Sequence, residues 1–203
     1  MPQRYIDTTL FDLFKVGPGP SSSHTIGPMK AGHHFAETCA ALPRDLLVRA
    51  VRFRVRLYGS LSATGTGHGT DAAVVAGLLG TAPESCPAGL LQELMDDPHT
   101  RRKRSLGDGQ VSVCVDDVSH DAIIHDFSYS NTLVADLLDA EDNVLHSQEY
   151  YSVGGGFIQW KGWEPPSLGK PVHRYSNMTE LRAIVKEKGL NIYEIILLSL
   201  IHI

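Results

Sequence analysis

The sequence predicts a domain that combines helices with β-strands, and three stretches carry that prediction. From Arg49 to Tyr58 apolar and charged residues alternate, with Val51, Phe53, Val55 and Leu57 on one face and Arg52, Arg54, Arg56 and Tyr58 on the other. That period of two is the pattern of a half-buried strand. After Pro28, the residues Met29, Ala31, Gly32, Phe35, Ala36, Cys39 and Ala40 recur at helical spacing, to about Ala41. Strand patterns return in the second half, at Val111 to Val115, Ala122 to Phe127, Thr132 to Leu138 and Val144 to Tyr151.

Composition sets the broad class. A chain of 203 residues, 42% hydrophobic and 20% charged, has the make-up of an ordinary soluble globular protein and is long enough to bury a core. Its net charge of −5 argues against a general nucleic-acid binder; the basic run Arg101-Arg102-Lys103-Arg104 reads as a solvated loop. Cys39, Cys86 and Cys114 are odd in number and far apart, which suggests neither a CxxC metal site nor a disulfide framework. Reduced thiols in a cytoplasmic protein are expected. The first residues lack the apolar run of an export signal, and no stretch is long enough to span a bilayer, so no membrane partner is expected.

Taken in order, Thr9 to Phe14 suits a short helix that delivers the stretch Gly17 to Gly32. There Gly17 and Gly19 permit close backbone approach, and Pro18 and Pro20 stiffen the loop. Pro28 suits the first turn of a helix, which places Ser21 to Thr25 just before a helix N-terminus, where unpaired N–H groups favour an anion such as a carboxylate. Taken alone, such a cluster is ordinarily a plain loop. His33 and His34, adjacent on the helix, point to different faces and read as surface or satisfied core histidines.

The strand ending at Tyr58 leads into Gly59-Ser60 and then Gly67-His68-Gly69-Thr70-Asp71, followed by an apolar helix to about Leu79. Thr70 is a plausible N-cap, and Asp71 either orients His68 or serves the helix dipole. Ser23 beside His24 does not suggest a nucleophile and base, because adjacent residues rarely reach that geometry and no Gly-x-Ser-x-Gly elbow is present. Gly80 to Gly109 carries a short helix around Leu90 to Met95 and no functional signal. A turn at Ala140 to Asn143 joins two strands as a hairpin, and Gly154-Gly155-Gly156 marks a bulge or a close backbone approach. Pro165 to Pro171 reads as a linker, and Asn177 with Glu180 and Asn191 with Glu194 have capping-box spacing. The last helix is apolar on nearly every side, which suggests a missing partner and a truncated chain.

Three strings together resemble one family. Ser21-Ser22-Ser23-His24-Thr25-Ile26-Gly27-Pro28-Met29, then Gly67-His68-Gly69-Thr70-Asp71 after Tyr58-Gly59-Ser60, then Tyr150-Tyr151 with the triple glycine, are similar to the N-terminal β domain of the iron–sulfur L-serine dehydratases. The resemblance implies an α+β fold, a mixed sheet with flanking helices similar to the allosteric substrate-binding domain of phosphoglycerate dehydrogenase. It implies a β domain over residues 1–163, a linker over 164–176, and over 177–203 the first helices of a helical catalytic domain, as in the single-chain form. It also implies conversion of L-serine to pyruvate and ammonia with a [4Fe–4S] cluster whose ligands lie outside this chain, in the missing helical domain, and association into a homo-oligomer.

In that reading His24 and His68 are the candidate catalytic residues. Ser21, Ser22, Ser23, Thr25, Gly67, Thr70, Asp71 and Asn131 are the candidate substrate contacts, and no metal ligand is assigned. Two other readings stay open: a non-catalytic amino-acid-binding or regulatory module, and a β subunit that works only with a separate chain.

Overall fold

In the computed structural model the described residues are 15–164 and 173–200, excepting the side chains of residues 196, 199 and 200. The expected helix at Thr9 to Phe14 and the Pro165 to Pro171 linker lie outside them. Two compact units divide the chain; one is Lys15–Trp163, and the other includes the C-terminal helices.

The larger unit is built on β1 (Arg52–Gly59), whose burial alternates along its length as the sequence pattern requires. Phe53, Val55 and Leu57 are fully buried. Next to β1 lie, on one side, β3 (Gly109–Val113) and β4 (Val118–His120), both parallel to it, and on the other β5 (Asn131–Leu138), antiparallel. β2 (Arg102–Leu106) pairs with β3 at one edge; β6 (Val144–Gly154) and β7 (Phe157–Trp160) follow β5 as antiparallel hairpins. The sheet is therefore seven-stranded and mixed, and the fold is α+β.

Two helices dominate the layer packed on this sheet. α1 (Gly27–Ala40) and α4 (Thr70–Leu78) join Phe53, Val55, Leu57, Leu133 and Leu137 in one core. α4 is buried along almost its whole length, so it carries no polar stripe. Small residues let the two helices meet backbone to backbone: a Cβ on Gly77 would lie 2.1 Å from the Met29 carbonyl oxygen, and one on Gly32 would lie 2.4 Å from that of Val74. Shorter helices complete the unit: α2 (Arg44–Arg49), α3 (Ser60–Thr64) and α5 (Leu90–Asp96).

Several local expectations are corrected. The basic run is an edge strand rather than a loop, and Arg101, Arg102 and Arg104 pair with Asp117, Glu93 and Glu37. Positive charge at a sheet edge also discourages further strand pairing. The arginine face of β1 is paired as well. Asp136, 1% exposed, receives Arg54 at 2.8 Å and Arg56 at 3.2 Å, while Arg52 reaches Asp117 and Asp142. Ala122 to Phe127 is not a strand; its residues form an irregular loop, held where the Ala122 carbonyl accepts the Gly59 amide. A strand there would have needed the ladder partners that β1 has already given to β3, β4 and β5.

In the second unit, α6 (Met178–Lys188) and α7 (Ile192–Leu200) start as their capping spacing predicts. Asn177 Oδ1 accepts the Glu180 amide at 3.0 Å, and Glu180 returns a bond to the Ser176 amide. Asn191 and Glu194 repeat the exchange. Replacing Asn177 by Ala should raise local opening of the first turn of α6 about fivefold, the effect of losing an ordinary N-cap. Amide hydrogen exchange of the first turn measures it, and an unchanged rate would show that the cap contributes nothing.

Candidate functional site

The glycine-rich loop ends in a π-helical turn, Ser22–Ile26, that runs directly into α1. Ser21 caps it: its hydroxyl accepts the His24 amide at 3.1 Å and its carbonyl accepts those of Thr25 and Ile26. β6 pins the same turn, because Ser152 Oγ donates to the Ser23 carbonyl at 2.7 Å. At the end of β1, Gly59 sits at φ +60°, and a Cβ there would meet the Ser130 oxygen at 2.0 Å. Only glycine allows this corner, which turns the chain into α3 and points Ser60 at the serine turn. A 3-10 turn, Thr66–His68, then leads through Gly69 in the left-handed region into α4.

These two loops, distant in sequence, close on each other. The rings of His24 and His68 stand 4.9 Å apart. Thr25 Oγ1 donates to the His68 carbonyl at 2.9 Å, and Thr70 Oγ1 donates to that of His24 at 2.6 Å. This reciprocal pair of buried hydroxyls laces the loops together. Thr25 and Thr70, expected to contact substrate, are fully buried and instead fix the separation of the histidines. Nor does Thr70 cap its helix, since Gly69 holds the N-cap position.

His24 is gripped at both nitrogens, Nδ1 by Ser23 Oγ at 2.9 Å and Nε2 by Ser60 Oγ at 3.0 Å. The adjacent Ser23 and His24 thus do meet, contrary to the expectation for neighbours, because the π-helical turn brings the two side chains together. Burial, followed by the charge of His68, holds the His24 imidazole below the usual histidine range, against a smaller upward effect of its bond to Ser60. It is a neutral ring with a fixed orientation. His68 Nδ1 faces the Thr64 carbonyl at 2.8 Å. A carbonyl only accepts, so the proton sits on Nδ1 and leaves the Nε2 lone pair of neutral His68 open.

Asp71 does not orient His68. Its Oδ1 lies 3.0 Å from Nε2 of His120, the last residue of β4. The remaining candidates fall around these rings. Ser21, Ser22 and Ser23 form the half-buried rim of the π-helical turn, and Gly67 is exposed beside His68 with nothing within 4 Å of a Cβ. Asn131, paired with Gly59 at the start of β5, reaches the Ser152 carbonyl at 3.4 Å. Asn131 therefore sits behind the serine turn.

A cleft of about 680 Å³ opens beside His68. Its walls are the Val16 to Pro20 loop, the Thr66 to Gly69 turn and the segment from Pro83 to Met95. That last segment, expected to carry no function, supplies Cys86, Leu91 and Met95 to the wall. Sequence reading also missed Ser60, Ser152 and His120 as parts of the site. Ser60 alone had a signal, its place directly after the strand in the string Tyr58-Gly59-Ser60.

Two of the cysteines do not suit a metal cluster. Cys39 is fully buried, and burial pushes its thiol up to about 12; the Cys114 thiol faces Asp117. Thiolate ligands need the opposite environment. Among the described residues no group of three or more His, Cys, Asp or Glu side chains is placed to hold a metal ion.

A mixed sheet under two helices, with two imidazoles 4.9 Å apart beside a cleft, defines a small α+β domain. The sequence matches the family described as serine dehydratase beta chain over residues 9–163, and the chain belongs to that family. It is 36% identical over 193 residues to L-serine dehydratase 2 of Escherichia coli, covering 91% of this chain and 41% of that protein. It is 36% identical over 199 residues to L-serine dehydratase of Streptomyces coelicolor, covering 93% and 43%. A third relative, L-serine dehydratase of Helicobacter pylori, is 35% identical over 153 residues, 74% and 32%. The chain thus spans about two-fifths of the length of the first two of these relatives.

Proposed function

We propose that this chain supplies the substrate side of an L-serine ammonia-lyase, which converts L-serine to pyruvate and ammonia. The observation that carries the reading is the contact of His24 with His68. The two histidines of the family-like strings are brought ring to ring, one gripped by two serines and kept neutral by burial, the other leaving one nitrogen open. Residues 1–163 act as the β domain, 164–176 as the linker, and 177–203 as the start of a helical domain in the rest of the protein.

The roles follow from the groups present. The first amides of the serine turn have no intrahelical partner, and with the Ser21 hydroxyl they suit the carboxylate of an amino acid. His68 takes or returns a proton at Nε2 as the α C–H and C–O bonds of serine break. His24, fixed and neutral, donates or accepts a hydrogen bond without adding charge. Elimination of water leaves aminoacrylate, which tautomerises to the imine and hydrolyses to pyruvate and ammonia. The [4Fe–4S] cluster of the proposed enzyme has its ligands in the remainder of the protein, since Cys39 and Cys114 are unsuited to it. The whole protein works in the cytoplasm and associates with itself.

The test is pyruvate release from L-serine by the full-length protein, purified without oxygen and coupled to lactate dehydrogenase. Sustained turnover is expected. Tight L-serine binding by this chain with no pyruvate from the full-length protein would instead identify a binding module.

A further inference from the structure

His120 lies outside the serine turn, yet it touches both flanks of the turn that carries His68. Its Nδ1 is 2.9 Å from the Ser62 carbonyl in α3, and its Nε2 is 3.0 Å from Asp71 Oδ1 in the first turn of α4 and 3.4 Å from Thr66 Oγ1 between them. His68 hangs within the same span, by its own Nδ1 bond to Thr64 of α3. We propose that His120 is a positioning residue for His68, a protonated imidazole clamped between the Ser62 carbonyl and the Asp71 carboxylate. This assignment rests on the proposed role of His68.

The protonation state follows from the partners. The Ser62 carbonyl only accepts, so Nδ1 carries a hydrogen, and the Asp71 carboxylate 3.0 Å from Nε2 favours a second one there by its charge, which a neutral imidazole with one N–H does not have. Asp71 Oδ1 is buried and has no aligned hydrogen bond among the described residues, so its charge leans on the ring beside it. Among the described residues, the charged groups acting on the ring are Asp71 from α4 and Asp121, which follows β4. Burial lowers the His120 pKa, but the Ser62 carbonyl and these two carboxylates outweigh it and raise the value above the usual 6.5. A raised folded value means that the clamp is complete below pH 6.5 and is lost as pH rises through the folded pKa. Deprotonation frees one flank of the turn, and the His68 ring loses its placement.

Two measurements test this, and only one needs turnover. In the chain of residues 1–203, long-range 15N NMR of the histidine rings should show both nitrogens of His120 protonated at pH 7, and Asp71→Asn should lower the His120 pKa by about one unit or more. A neutral His120 at pH 7, or a pKa unmoved by Asp71→Asn, overturns the proposal whatever the protein's activity. In the full-length protein, His120→Gln should lower kcat about tenfold with KM for L-serine changed less than about twofold, and should shift the alkaline limb of the kcat profile. An unchanged kcat and alkaline limb also overturn it. A wild-type protein that makes no pyruvate would refute the proposed function while the NMR result still decides the clamp.

Discussion

Replacing His68 by Ala in the full-length protein is expected to lower kcat for pyruvate formation from L-serine by about 10²- to 10⁴-fold, the ordinary size of a lost proton-transfer group. KM should change by no more than a few-fold, because the proposed carboxylate contacts lie in the serine turn and not on His68. Iron content should stay at the wild-type level, since among the described residues His68 bonds to Thr64 and to the neighbouring loop. The fold should tolerate the change, because the lacing of the two loops runs through Thr25 and Thr70 and through the His68 backbone carbonyl rather than its ring. His24→Ala should cost less in kcat but more in the order of the site, since Ser23 and Ser60 both lose their partner.

The pair also predicts a pH limb. His24 is held below 6.5 by burial and by His68, so it stays neutral until the pH falls below that value. A proton on His24 places its charge 4.9 Å from the His68 ring, and activity should fall as pH drops through the folded pKa of His24. The depressed value also means that stability declines on the same side, because the unfolded ring binds its proton first. Wild-type turnover from the His68→Ala protein, at any pH, would remove His68 from the chemistry.

Gly77→Ala should destabilise the larger unit by about 2–3 kcal/mol, the cost of forcing extra volume into a close-packed contact. Two effects compete here. Alanine is the better helix former by about 1 kcal/mol, which favours the substitution in an isolated helix. In the protein the new Cβ would lie 2.1 Å from the Met29 oxygen and 2.8 Å from the His33 amide nitrogen, both backbone atoms of α1. Backbone cannot rotate away as a side chain can, so the helices must separate and the core beneath them opens. Gly67→Ala is the control, since nothing lies within 4 Å of its Cβ. Urea unfolding of the two variants decides it: a Gly77→Ala protein more stable than wild type would show that the helix crossing has slack.

What could be read from the sequence was whatever depends on near neighbours. β1, α1, the hairpin turn after β5 and the capping boxes of α6 and α7 were legible because alternation, helical spacing and cap chemistry are set within a few residues. The two histidine strings were legible for a different reason, their likeness to a family. Errors fell where tertiary partners override local pattern. Arg101 to Arg104 reads as solvated until Asp117, Glu93 and Glu37 arrive from other elements. Ala122 to Phe127 has strand composition, but β1 has no edge left to pair with it.

At the site, the residue types were set by the sequence alone: two imidazoles, a row of serines and a glycine turn. Their roles were decided by the tertiary structure. Thr25 and Thr70 lace the two loops together, Asp71 turned to His120 instead of His68, and Ser60 and Ser152 came to grip the serine turn from α3 and β6. A hydrogen bond is directional and reaches only about 3 Å. Which acceptor a given donor finds is therefore settled by how the sheet and helices pack, over distances that no local spacing encodes.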